Sequence, residues 1–152
     1  GPLIPATALR RIADYVGKDP RFKTFEEFKA YMRAISVSFG PLSEAQWNHL
    51  AIHSMREYPD GTFGFRYDPR VAISFKEHEI KDIDLWMQWD RLKVPTLVLR
   101  GSESDILSAE TAAQMQVRGT KATVIELPGI GHAPMLIDAD QIKIVRDFIL
   151  NQ

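Results

Sequence analysis

The chain has 152 residues, 45% hydrophobic and 26% charged, with a formal net charge of −1. That suits one globular domain with a real core, and it gives neither nucleic acid nor an anionic membrane the basic excess it would need. There is no cysteine, which excludes disulfides, thiolate metal sites and a cysteine nucleophile, and fits a reducing cytoplasm. No apolar run reaches membrane-spanning length, and the N-terminus lacks a signal-peptide core. The opening Gly1-Pro2, in place of Met, reads as a protease scar or a cut into a longer protein.

In chain order, residues 6–16 place Leu9, Ile12, Ala13 and Val16 on one helical face, with Gly17 as the stop. Thr24 and Glu27 have capping-box spacing, and Phe25, Phe28, Met32 and Ile35 form the apolar stripe behind them. Ser43 and Gln46 repeat the device ahead of Trp47, Leu50, Ala51 and Met55. Pro59-Asp60-Gly61 predicts a turn, and residues 62–69 alternate like a short strand that Pro69 ends. To about residue 75 the chain is mostly helical and aromatic.

The pattern then changes. A short helix around 83–92 leads into Val94–Gly101, whose apolar run Pro95–Leu99 predicts a strand covered on both faces. The loop Ser102–Leu107 follows, then a helix over 108–117 and a second buried strand over 122–129. Another loop carries His132. The closing helix has Ile142, Val145, Phe148 and Ile149 on its apolar face. Strand, helix, strand, helix with buried strands predicts a parallel βαβ unit with a right-handed crossover. Two parallel strands need neighbours, so the pattern reads as the end of a larger sheet whose earlier strands lie outside this sequence.

In open α/β sheets, functional groups sit in loops at the C-terminal ends of strands. Two loops qualify. One offers Asp105, with Glu103 as its rival; the other offers His132, flanked by Gly129 and Gly131, which let the backbone turn sharply. Strands about 4.8 Å apart would make these loops neighbours. A carboxylate accepting from one imidazole nitrogen would fix the tautomer and stabilise the imidazolium formed when the other nitrogen takes a proton.

The segments "PTLVLRGSESDILS" and "LPGIGHAPML", each followed by a helix, resemble the C-terminal part of the α/β-hydrolase fold. In that family the triad runs nucleophile, acid, histidine along the chain. The resemblance places Asp105 on the acid and His132 on the histidine. It implies a mainly helical cap over residues 1–80 and the last two strand–helix units over 81–152. The fold class is therefore α/β: a C-terminal fragment of the α/β-hydrolase fold, with two parallel strands, flanking helices and the cap. The sequence departs from the family in having no G-x-S-x-G elbow, no oxyanion loop and none of the first six strands.

Other motifs have plainer readings. Ser38 in "SVSFG" mimics a loosened elbow, but a helix precedes it and Pro41 follows, so Gly40 reads as a helix stop. His49 and His53 stand i, i+4 without a third ligand, which reads as a surface or cap-lining pair and not a metal site. "KEHEIKD" reads as a solvated face. Trp47, Trp86 and Trp89 are mostly core, with one or two lining an apolar pocket.

The resemblance implies a serine-type hydrolase parent acting on a modest-sized apolar ester, lactone or C–C substrate, with no cofactor and no metal. An aspartate nucleophile, as in epoxide hydrolases and haloalkane dehalogenases, is the alternative within enzymes. Outside them, the chain reads as a non-catalytic fragment or split-protein half that oligomerises or binds. The missing N-terminal half of the fold is the expected partner, and self-association is expected to cover the open sheet edge.

Overall fold

A short polar side chain opens four of the helices, because the first turn of a helix leaves amides without partners. The computed structural model describes residues 1–151. In chain order they form β1 (Leu3–Ile4), α1 (Ala6–Ala13), α2 (Phe25–Ile35), α3 (Glu44–Ser54), β2 (Met55–Glu57) and β3 (Phe63–Phe65). Then come α4 (Ile73–Glu77), β4 (Ile83–Asp84), α5 (Trp86–Trp89), β5 (Leu97–Gly101), α6 (Ala109–Val117), β6 (Thr123–Leu127) and α7 (Ala139–Leu150). Thr24, Ser43, Ser108 and Asp138 cap α2, α3, α6 and α7. Ser43 and Gln46 make the full reciprocal box. At α2 the Glu27 carboxylate reaches one residue further, to the Lys23 amide at 2.9 Å.

The chain divides into two compact units. One holds residues 10–37 and 41–80. Its core is Phe28, fully buried, with Met32, Trp47, Ala51 and Ala72. Phe28 meets the rings of Phe22 and Phe65 edge-on, with centroids 5.9 and 5.0 Å away. Two expectations fail here. Met55 leaves the helix, which stops at Ser54, and Met55–Glu57 pairs antiparallel with Phe63–Phe65. Ile35, placed on the apolar stripe, is 57% exposed, because α2 ends at that residue and the chain turns away.

The other unit holds residues 1–9, 38–40 and everything from Lys81 onward. β5 and β6 are adjacent and parallel, and α6 is the crossover between them. Leu107, Ala112 and Met115 form the core under α6, with Trp86, Trp89, Val98 and Val124 packed against it. The last two tryptophans are thus half-buried against this core. Arg118 lies 4.0 Å over the Trp86 ring and pairs with Asp90 at 2.6 Å, holding that carboxyl below its ordinary range. The Asp82 carboxylate accepts from the Ala6 amide at 2.7 Å, a long-range cap for α1 from within the charged run.

The predicted two-sided burial of the first strand is only partly realised. Arg100 and Gly101 are buried, while Leu97–Leu99 are half-buried, because this sheet has two strands. On α7 no residue is buried. Ile142, Ile149 and Leu150 are 49%, 64% and 72% exposed, and with Leu136 and Val145 they line an apolar groove of about 380 Å³.

Candidate active site

The register pairs Leu97 with Thr123 and Gly101 with Leu127, so β5 and β6 end side by side and both following loops leave from the same end. The pairing then continues into the loops. The Ser102 amide donates to the Leu127 carbonyl at 2.9 Å, and the Glu103 amide to the Ile130 carbonyl at 3.0 Å. The Ser102 hydroxyl accepts from the Gly129 amide at 2.9 Å. Gly129 sits at φ +66°, the left-handed conformation that glycine adopts at no steric cost. The sharp turn expected before His132 is therefore built.

Charge pairing sets the base of the first loop. Arg100 is 8% exposed and faces Glu126 across the strand pair. Its guanidinium forms an ion pair with that carboxylate. It also donates from Nε to the Leu107 carbonyl at 2.9 Å and from Nη2 to the Ser102 carbonyl at 3.4 Å. One buried cation thus ties the two ends of the loop together.

The two loops meet at His132. Its Nδ1 lies 3.0 Å from Ser104 Oγ, and that oxygen also accepts from the Leu107 amide at 3.1 Å. Asp105 is the next residue, on the same turn; it, Glu103 and His132 are all exposed. The structure thus brings the Asp105 and His132 loops together. The sequence reading overlooked Ser104. Its one signal was position: a hydroxyl beside the candidate acid, three residues before Leu107, where it can accept the Leu107 amide and fix the turn.

The remaining candidates separate cleanly. α2 ends at Ile35 and a 3-10 turn covers Val37–Phe39, so Ser38 has no strand before it. Its backbone has a different use: the Ser38 carbonyl accepts from the Gly131 amide at 2.7 Å. His49 and His53 sit exposed on α3 with ring centroids 4.3 Å apart. Among the described residues no cluster of three His, Cys, Asp or Glu side chains could hold a metal, and no helix is long and apolar enough to cross a membrane.

No family model matches the sequence. A 3-hydroxybutyrate-oligomer hydrolase of Cupriavidus necator is 40% identical, over 97% of this chain and 53% of its own length. An α/β hydrolase from Novosphingobium aromaticivorans is 32% identical with a TM-score of 0.85, and is matched over 100% of this chain and 54% of its own. A proposed hydrolase from Rickettsia typhi is 27% identical with a TM-score of 0.89, over 100% and 51% respectively. The chain spans about half the length of the relatives it matches. With its parallel β5–β6 pair and both loops at one end, the chain has the C-terminal part of the α/β-hydrolase fold.

Proposed function

We propose that this chain supplies the acid and histidine of an ester hydrolase whose nucleophile lies in the other half of the fold. The carrying observation is the junction of the two loops, with His132 Nδ1 held from the loop that bears Asp105. In this reading the nucleophile attacks the ester carbonyl while His132 Nε2 takes its hydroxyl proton. The imidazolium returns that proton to the departing alcohol. His132 then deprotonates a water that attacks the acyl intermediate and passes that proton to the nucleophile oxygen as it is released with the free acid; Asp105 supports the charged ring. Residues 1–80 serve as the cap that the resemblance implies. The Cupriavidus necator relative points to esters of short hydroxy acids as the substrate class.

Release of 3-hydroxybutyrate from its dimer and trimer by the full-length protein tests this. Turnover well above background is expected. A full-length protein that leaves these esters and p-nitrophenyl acetate intact would sink the reading. The 152-residue chain alone should stay at background, since loss of the nucleophile costs on the order of a millionfold. Turnover by this chain alone, surviving Ser38→Ala, would instead place a nucleophile within it.

The exposed apolar face of α7 suits coverage by the rest of the fold. Taken alone, the chain is therefore expected to sediment as a self-associated species. A clean monomer with freely exchanging amides along 97–101 would contradict this.

A further inference from the structure

We infer that Ser104 is a positioning residue for His132: its hydroxyl oxygen accepts the Nδ1 proton and so leaves Nε2 as the basic nitrogen. This rests on the hydrolase reading above and adds a second group, beside Asp105, to the control of the ring.

Lone pairs decide the direction of this bond. A serine hydroxyl has two acceptor sites and one proton. The Leu107 amide, 3.1 Å away, occupies one acceptor site. The His132 Nδ1 contact at 3.0 Å can use the second site or the proton. These choices have opposite consequences. If Ser104 donates, Nδ1 is the unprotonated nitrogen, Nε2 carries the hydrogen, and the ring cannot take a proton there. If Nδ1 donates, Nε2 is free to act as a base, and the same contact persists in the imidazolium, which has a donor at both nitrogens. Only the second arrangement supports proton transfer at Nε2.

The oxygen is also fixed in space. Ser104 is 8% exposed, its amide donates to the Gly101 carbonyl at 3.0 Å, and its turn is closed by the Leu107 amide. Arg100 holds the Ser102 and Leu107 carbonyls that bracket the turn, and is itself fixed by Glu126. A chain of bonds therefore runs from the β5–β6 ends to the imidazole. Arg100 and Ser104 are both buried, and a polar network anchored on buried groups holds a ring more rigidly than an exposed side chain can.

The test is made on the full-length protein. Nitrogen-15 NMR of the wild type above the His132 pKa is expected to show the Nδ1–H tautomer. Ser104→Ala is expected to lower kcat by roughly 10- to 100-fold, the range for losing a hydrogen bond to a charged group, with KM little changed. It should also move the acidic limb of kcat/KM to lower pH, because the imidazolium loses an acceptor. Ser104→Thr, which keeps the hydroxyl, should restore both. A wild-type Nε2–H tautomer would overturn the inference, and this measurement needs no variant that folds. So would a folded Ser104→Ala protein with an unmoved pH profile. If the Nδ1–H tautomer is seen but no ester is hydrolysed, the hydrolase reading fails while the Ser104 contact stands.

Discussion

Replacing His132 with alanine in the full-length protein is expected to abolish ester turnover, by on the order of a millionfold in kcat if the residue belongs to a complete triad. The size follows from the role: one imidazole serves as base and then acid in both halves of the reaction, and no neighbour can substitute for both transfers. Asp105→Asn should cost about ten-thousandfold, the scale seen for a triad acid, since an amide cannot stabilise the charge of the imidazolium. Neither side chain belongs to the core of this chain, so neither substitution opens a cavity in it. Melting temperatures should therefore stay close to wild type, which separates lost chemistry from lost fold. Initial rates on p-nitrophenyl acetate provide the readout. Activity indifferent to His132 would show that the loop has been misassigned; activity indifferent to Asp105 would move the acid role, with Glu103 on the same loop the first alternative.

Much of this architecture was legible because local and long-range signals agree. The capping residues Thr24, Ser43 and Ser108 each sit where a helix starts, and the two apolar runs are the parallel pair. What escaped was set by pairing and not by pattern. Met55–Glu57 continues the helical spacing of α3, yet the segment pairs antiparallel with β3 across the turn at residues 59–61. β1 and β4 are two residues each and carry no periodicity at all. At the candidate site, the loops and His132 could be read from the strand order, but the Arg100 clamp could not. Its signal was present all the same. Arg100 ends one apolar run and Glu126 nearly ends the other, at matching places, and register brings them opposite. A buried arginine must find such a partner, since an unpaired charge in the interior is prohibitively costly. Recognising the pair would have indicated the tied loop and drawn attention to Ser104 within it.

The close approach of the two loops makes Gly101→Ala the most damaging single-methyl change expected in this unit. A Cβ on Gly101 would stand 1.9 Å from the Gly131 carbonyl oxygen and 2.3 Å from that of Ile130. Both are backbone atoms, so no flexible side chain can yield, and the His132 loop itself must move by on the order of 1 Å or more to restore ordinary contact. That movement strains the Glu103–Ile130 and Gly131–Ser38 hydrogen bonds that fix the loop. A loss of about 3 kcal/mol in stability is expected, the upper range for overpacking. A displacement of roughly 1 Å at a reacting group costs about a hundredfold in rate, so turnover should fall at least that far at temperatures where the variant remains folded. Gly129→Ala is the control. Nothing lies within 4 Å of its Cβ position, and only its φ of +66° opposes the change. That costs about 1 kcal/mol. Urea unfolding of the two variants in the full-length protein should rank them clearly. If Gly101→Ala proves as mild as Gly129→Ala and keeps full activity, the loops do not approach as described, and the placement of His132 against Ser104 falls with them.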